Sequence, residues 1–243
     1  MALNCKDVAT TILILSACLF QSCANDKSED IYMGTGSYST LGTIVETDGL
    51  LIESDIYGLL APANAGQFVN PETDTVGQRA LLEFAFEEQT SETSADGIRP
   101  IQLSRFYKVL TKRADDIRNS GQGFSDNAAK QYGSNPIEIS AASISKHHLN
   151  VQYYILGHNT EDIPHRISLV LTNESSLDED GLIRAELRHD ANGDLQKETF
   201  WGVVSFTLSD IPECSDPKFE GFRIVYHNAE GASQEYIATR HPT

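Results

Sequence analysis

The stretch LIRAELR, residues 182–188, decides the fold class of this chain. Ile183, Ala185 and Leu187 alternate with charged residues at every second position. Because successive side chains of a β-strand point to opposite faces, this alternation places the apolar side chains on one face and the charged ones on the other. We therefore predict a half-buried strand whose charged side chains face out of the core.

The same period of two recurs along the chain, and no long segment keeps a 3.6-residue hydrophobic period. Apolar residues occupy alternate positions in 82–86, 200–208 and 222–226. Turn dipeptides such as Asp48-Gly49 and Asn192-Gly193 separate these runs. Short strands at this spacing predict an all-β fold made of small barrels or sandwiches.

The strands are predicted to fall into two groups, at residues 38–112 and 136–240. Between the groups, Asp115 to Asn135 is poor in apolar residues and contains Gly-rich turns, so we place a domain boundary there. The second group is predicted to hold about six or seven strands. The first is predicted to hold about five strands, near Gly42–Glu46, Leu50–Asp55, Tyr57–Ala61, Gln78–Gln89 and Arg99–Lys112.

The N-terminus begins with an uncharged apolar run, Val8–Phe20. A membrane-spanning helix needs roughly 20 apolar residues, so this run is too short to span and instead fits the apolar part of a secretory signal. Gln21-Ser22-Cys23 follows it and resembles a bacterial lipobox, in which cleavage precedes the cysteine and its sulfur carries a diacylglycerol. Cys18 is the alternative acylation site. We favour Cys23 because cleavage there leaves a polar tether.

Charge and cysteine content exclude several classes of function. The formal net charge is −17, and the acidic residues are spread over both halves of the chain. Such a surface repels phosphate, so no nucleic-acid partner is expected. Of four cysteines, only Cys214 remains once the signal is removed and Cys23 is acylated. No internal disulfide is therefore possible, and Cys214 is predicted to be an inert thiol.

Several stretches give the chain a resemblance to a known family. They are QSC at 21–23, GTIV at 42–45, LLIESDIYGLLAP at 50–62, GQRALLEF at 77–84 and VVSFTL at 203–208. Together they resemble the NigD-like lipoproteins of Bacteroidetes, a family named after a gene neighbourhood linked to a bacteriocin. The resemblance implies an N-terminal OB-type barrel followed by a C-terminal β-sandwich. It carries no catalytic residue.

The predicted domain order combines the strand groups with this resemblance. It is a signal peptide at 1–22, an acylated Cys and tether at 23–37, an OB-like barrel at 38–113, a linker at 114–135 and a β-sandwich at 136–243. We expect an exported, lipid-anchored protein of the cell envelope, at the outer membrane. It would bind a protein partner without catalysis; the alternative is a surface glycan-binding lipoprotein.

Candidate ligand sites are few, and no cofactor is expected. Asp190, Asn192 and Asp194 place oxygen atoms at alternate positions, as a calcium loop does, but the later Gly and Glu of such a loop are missing. We therefore interpret Asn192-Gly193 as a type I′ hairpin turn, with calcium as the weaker alternative. His147 and His148 are adjacent and would point to opposite faces of a strand, so they cannot bind one metal ion together.

Two further surface features are predicted from the sequence. An OB-type barrel often binds oligosaccharides, and one ring from Phe106-Tyr107 or from Tyr153-Tyr154 could stack on a sugar. Adjacent aromatic residues in a strand normally place one of their rings in the core. Asp74-Thr75-Val76 resembles the O-glycosylation acceptor of Bacteroidetes, so we expect a glycan on Thr75.

Overall fold

β-Strands account for most of the chain in the computed structural model, which describes residues 37–70, 74–87, 97–118 and 131–240. Two short 3-10 helices, Ala65–Gln67 and Pro212–Ser215, accompany the strands. In the described ranges, no helix is both long enough and apolar enough to span a bilayer. The chain divides into two compact units between Lys108 and Val109. The all-β prediction is confirmed.

The first unit is a small barrel. Its strands follow one another in chain order as β1 (Tyr38–Glu46), β2 (Leu51–Ser54), β3 (Gly58–Pro62), β4 (Arg79–Phe86) and the first part of β5 (Arg99–Arg113). Strand β1 pairs antiparallel with both β2 and β4, and β2 pairs antiparallel with β3. Strand β5 lies beside β4 and also pairs in parallel with β3. This last pairing closes the ring, as in an OB-type barrel.

The barrel core consists of the inward side chains that the alternating pattern selects. Leu82 and Phe84 are buried, and Phe86 packs against them from the same face of β4. Phe84 and Phe86 meet edge to face with ring centroids 5.2 Å apart, which is a favourable geometry for aromatic pairs. The other buried apolar members of this core are Ile44, Leu50, Ile52, Leu60, Ala80, Ile101 and Leu103.

The second unit is a β-sandwich of two sheets. One sheet has the order β5-β11-β8-β7, with β5 contributing its last residues, Leu110–Arg113. The other sheet has the order β13-β12-β10-β9-β6. The strands not yet defined are β6 (Asp115–Asp116), β7 (Ile137–Ile144), β8 (His148–Gly157), β9 (Arg166–Leu171), β10 (Leu182–Asp190), β11 (Glu198–Thr207), β12 (Gly221–His227) and β13 (Ser233–Thr239).

The decisive stretch, residues 182–188, lies in β10 at the centre of the second sheet. Its apolar side chains are fully buried in a core that also receives Val204 and Phe206 from the opposite sheet. Glu186 and Arg188 face away from this core, but they are only 8% and 9% exposed. Arg188 Nε donates to Glu186 Oε2 at 3.0 Å. The charged side chains thus face out of the core as predicted, and the strands that pair with β10 on both sides leave them little exposed.

The segment predicted as a linker, residues 114–135, begins with paired backbone. Asp115 and Asp116 form β6, which pairs in parallel with Val170 and Leu171 of β9. The Ile117 N–H then donates to the Leu171 carbonyl at 3.0 Å. Strand pairing at a sheet edge needs only backbone groups, so a stretch poor in apolar side chains can still form it.

The Asn192-Gly193 turn is present, but the predicted hairpin is not. Both residues have positive φ, +52° and +83°, as a type I′ turn requires. The Asp194 N–H closes the turn by donating to the Ala191 carbonyl at 2.9 Å. However, the strand before the turn, β10, and the strand after it, β11, belong to different sheets. The turn therefore carries the chain from one sheet to the other.

Candidate functional site

The predicted acylation sites, Cys23 and its alternative Cys18, lie outside the described residues. The described chain starts at Ser37, and the first strand of the barrel starts directly afterwards at Tyr38. The assignment of Cys23 therefore stays a prediction.

The thiol of Cys214 lies in the 3-10 helix Pro212–Ser215 and packs against the sandwich core. It is 7% exposed. Burial raises the pKa of this thiol to about 12, and the nearby charge of Arg240 opposes the shift only in part. The reactive form of cysteine is the thiolate. The structure thus agrees with the prediction of an inert thiol.

The three oxygen-bearing residues of the calcium alternative engage different partners. Asp190 Oδ1 accepts the Asn192 N–H at 2.9 Å, and its Oδ2 contacts Arg166 at 3.1 Å. Asp194 instead points inward, where its two oxygens accept hydrogen bonds from the protein. In the described part of the chain, no group of three or more His, Cys, Asp or Glu side chains is placed to hold a metal ion.

The inward position of Asp194 belongs to a buried group that we call the histidine cluster: His165, His189, Asp194 and the Pro136 carbonyl. His165 Nε2 lies 3.1 Å from Asp194 Oδ2, and His165 Nδ1 lies 2.8 Å from His189 Nε2. His189 Nδ1 lies 2.7 Å from the Pro136 carbonyl oxygen. The two imidazole rings stack with centroids 5.0 Å apart. The cluster therefore forms a continuous chain of polar contacts.

The histidine cluster joins several connecting segments at one end of the sandwich. Asp194 Oδ2 accepts the His158 N–H at 2.7 Å and the Asn159 N–H at 3.0 Å, just after β8. Gly157 leaves room for the cluster, because a Cβ there would lie 3.1 Å from His165 Cε1 and 3.2 Å from Asp194 Oδ2. The sequence gives no local sign of this cluster, since His165 lies 24 residues from His189 and 29 from Asp194.

The electrostatics of the histidine cluster differ at its two ends. Burial alone would raise the pKa of Asp194, but hydrogen bonds from the His158 and Asn159 N–H groups, from His165 and from the Leu195 N–H hold it well below its usual range. Burial lowers the pKa of His189. The chain ends at a carbonyl oxygen instead of a hydroxyl or thiol, so the arrangement can bind a proton but activates no hydroxyl or thiol as a nucleophile.

The two predicted aromatic pairs each place one ring in a core, as expected. Phe106 packs against the barrel core while Tyr107 is 52% exposed. Tyr153 packs against the sandwich core, and Tyr154 lies on the opposite face of β8 in a half-buried position. Of these pairs, the barrel therefore has an exposed ring and the sandwich a half-buried one.

Trp201, which was not among the predicted aromatic residues, lies beside Tyr154. Trp201, the single tryptophan of the chain, is 48% exposed and is the cross-strand partner of Tyr154. Tyr154 in turn is the partner of Glu138 on β7. These three side chains form a row across β7, β8 and β11, which we call the aromatic row. The signal was available: Phe200 begins an inward stripe, so Trp201 must face outward.

The barrel carries an open recess of about 410 Å³ in the described structure. It lies between the β1–β2 turn and the 3-10 helix Ala65–Gln67. Leu50 adopts φ +48°, a conformation that is rare for a residue with a branched side chain, while its side chain is buried. The lining residues are Thr47, Asp48, Gly49, Leu50, Ala65, Gly66 and Val69.

The predicted glycosylation residue, Thr75, is exposed on the barrel, and its neighbour Val76 is 63% exposed. Asp74 is buried instead: its Oδ2 accepts the Asn70 N–H at 2.8 Å, and its Oδ1 lies 2.5 Å from Lys108 Nζ. The position is accessible to a transferase, and the glycan on Thr75 stays a prediction.

Comparisons with known proteins agree with the two-unit β fold. Residues 122–240 match the family model of the NigD-like C-terminal beta sandwich domain. None of the curated proteins matches the chain. The family match covers most of the sandwich and confirms the predicted resemblance there.

Three solved structures are similar over most of their length. A protein of unknown function (DUF1344) from Bacteroides vulgatus shares 19% identity at a TM-score of 0.66, covering 86% of this chain and 92% of that one. A protein provisionally named a lipoprotein, from Bacteroides fragilis, shares 15% identity at a TM-score of 0.64. The match covers 86% of this chain and 99% of that one. A NigD-like immunity protein from Bacteroides caccae shares 14% identity at a TM-score of 0.55. The match covers 85% of this chain and 94% of that one. At these identities the likeness shows the fold.

Proposed function

We propose that this chain, whose residues 122–240 match the family model of the NigD-like C-terminal beta sandwich domain, is a lipid-anchored accessory protein of the cell envelope. It acts by binding a partner and catalyses no reaction. The observation that carries the proposal is the N-terminal sequence, in which an uncharged run ends at Gln21-Ser22-Cys23. The name of the Bacteroides fragilis neighbour, provisionally a lipoprotein, supports it.

The distance between the anchor and the folded body also suits this role. Residues 24–37 separate Cys23 from the first strand and would span at most about 50 Å if fully extended. A diacylated cysteine, with a further acyl chain on its amine, holds a protein on a bilayer stably, because each buried CH2 contributes about 0.8 kcal/mol. The barrel would thus stay close to the membrane, and we place it at the outer membrane.

Three sets of groups that could do chemistry are engaged within the described part of the protein. Arg79 and Asp55 form a paired contact inside the barrel, Asp194 receives several N–H donors, and Cys214 is a buried thiol of raised pKa. These positions support a binding role over catalysis. The partner we propose is a protein, and the name of the Bacteroides caccae neighbour, an immunity protein, suggests protection against a bacteriocin.

Acylation of Cys23 predicts a clear result in cells fed labelled palmitate. The unchanged protein should carry the label and fractionate with membranes, and globomycin should block its processing. Cys23→Ala should lose both label and membrane association, because no thiol then follows the cleavage site. Cys18→Ala is the matched control and should behave like the unchanged protein. If the label survives in Cys23→Ala but is lost in Cys18→Ala, the acylated residue is Cys18. A parent protein that carries no label would contradict the proposal.

The aromatic row favours one second candidate function, which is binding of a neutral glycan. Trp201 and Tyr154 offer two neighbouring rings, and Glu138 offers an acceptor for sugar hydroxyl groups at the end of the row. Tyr226 already donates to Glu138 Oε1 at 3.2 Å, which holds the carboxylate in place. The net charge of −17 disfavours acidic sugars. A neutral oligosaccharide is therefore the ligand class that fits.

Loss of the Trp201 ring should abolish such binding. On an array of neutral glycans, Trp201→Ala is expected to weaken binding at least tenfold (about 1.4 kcal/mol), because exposed aromatic anchors dominate such contacts. Tyr107→Ala, which removes an equally exposed ring from the barrel, serves as the control and should leave binding unchanged. Because Trp201 is the single tryptophan, its fluorescence should also shift on titration. Equal binding by Trp201→Ala and the parent protein would rule out the aromatic row.

A further inference from the structure

The histidine cluster contains three contacts that each require one hydrogen atom. They join the Pro136 carbonyl to His189 Nδ1 at 2.7 Å, His189 Nε2 to His165 Nδ1 at 2.8 Å, and His165 Nε2 to Asp194 Oδ2 at 3.1 Å. A carbonyl oxygen can only accept, so His189 Nδ1 must carry a hydrogen. Asp194 is held ionised by the N–H groups that point at it, so His165 Nε2 must carry one as well.

The middle contact then decides how many protons the cluster holds. Two neutral imidazoles carry one N–H each, and both of those hydrogens are used at the two ends of the chain. The His189 Nε2 and His165 Nδ1 atoms would then face each other as two lone pairs at 2.8 Å. A third hydrogen is needed between them. The count is the same if the additional proton is placed on the carboxyl of Asp194.

We infer that the histidine cluster binds one proton beyond those of two neutral imidazoles, and that this proton fastens the connecting segments at its end of the sandwich. The segments are the approach to β7 at Pro136, the turn after β8 at His158 and Asn159, and the turn before β11 at Asp194. Loss of the proton turns one of the three hydrogen bonds into a repulsive contact between lone pairs.

The proton lies on His165. This ring is next to the ionised Asp194, so its positive charge is compensated there, and the side chains of the two residues are only 5% and 2% exposed. His189 is then neutral: it donates through Nδ1 to Pro136 and accepts at Nε2. Its lowered pKa, which results from burial, agrees with that assignment. The pair is thus one imidazolium and one imidazole that share a single hydrogen bond.

Other charged groups around the cluster do not replace Asp194 as its counter-charge. Asp190, next to His189, contacts Arg166, next to His165, so these two charges offset each other at the surface. Further titratable or charged groups lie on the segments that pack around the cluster, namely Tyr132 before β7, His158 and Asp162 after β8, and Lys197 before β11.

The shared proton makes stability depend on pH in two opposite ways. Unfolded histidines have a pKa of about 6.5, so the unfolded chain binds none of these protons well above that pH and two well below it. The folded cluster keeps one. Above about pH 6.5 the folded state holds more protons, so stability falls as pH rises. Below about pH 6.5 the unfolded state holds more, so stability falls as pH falls. On each side of about pH 6.5, the folding constant approaches a tenfold change per pH unit.

Nitrogen NMR of the imidazole rings tests the proton count directly on the unchanged protein. At about pH 7.5 one ring should show both nitrogens protonated, while the other shows one protonated and one bare nitrogen. Two neutral rings at that pH would overturn the inference.

The pH profile of unfolding gives a second and independent readout. The difference in log folding constant between the parent protein and a His165→Ala/His189→Ala double variant should peak near pH 6.5 and fall on both sides. The Ile237→Ala variant, which removes an exposed apolar side chain and no titratable group, is the control and should give a flat difference profile. A flat profile for the double variant as well would overturn the role of the proton in fastening the segments. If the double variant does not fold, the NMR result on the parent protein decides alone.

Discussion

Asp55→Asn is expected to lower the stability of the barrel by about 3–5 kcal/mol, because it removes the negative charge that faces a buried guanidinium. Among the residues that the structure describes, Arg79 is the largest fully buried side chain, with 1% of its side chain exposed. Its two terminal nitrogens donate to the two oxygens of Asp55 at 2.7 and 2.6 Å. Such a bidentate pair is shorter and stronger than a neutral hydrogen bond.

The position of this pair explains why its loss should matter so much. Arg79 begins β4, where it is the cross-strand partner of Thr43 on β1, and its Nη1 also donates to Thr43 Oγ1 at 3.1 Å. Asp55 follows the end of β2, and its N–H donates to the Leu41 carbonyl at 2.8 Å. The ion pair therefore connects three strands of the barrel in one contact.

Amide hydrogen exchange in β1 and β4 is the measurement suited to Asp55→Asn, because Trp201 lies in the sandwich and would report only on that unit. Glu83→Gln is the matched control. It removes the charge from the exposed contact between Glu83 and Arg105, which spans 3.4 Å, and should change stability by at most about 1 kcal/mol. Similar losses for the two variants would show that the Arg79–Asp55 pair behaves as a surface pair.

The strands were predictable because their signal is local. The alternation in residues 182–188 and in 82–86 is a property of neighbours in sequence, and the structure buries the side chains that it selects. Turn chemistry was local as well: Asn192-Gly193 has the two positive φ values that its residue types favour. These features follow from the backbone period and from residue type alone.

The predictions failed where a contact joins residues that are distant in sequence. Nothing in the residues next to Asn192 determines which sheet the following strand enters, so the prediction of a hairpin was wrong. Arg79 follows Gln78 at the start of a strand, and an arginine is normally expected in solvent; its burial depends on Asp55, which lies 24 residues away. The contact between His165 and His189 also spans 24 residues. Specific polar contacts of this kind need tertiary geometry.

Phe206→Ala is the second variant with a large expected effect, a loss of about 3–5 kcal/mol from the sandwich. Phe206 is fully buried in β11, opposite Leu149 of β8, and it packs in the core that both sheets share. Removing the ring leaves a cavity that neighbouring strands cannot fill, because their backbones are fixed by hydrogen bonds on both sides. Denaturant unfolding followed by Trp201 fluorescence measures the loss on the same strand. Ile237→Ala, which truncates a side chain of β13 that is 44% exposed, should cost at most about 0.5 kcal/mol; a comparable cost for both variants would contradict the inward stripe that begins at Phe200.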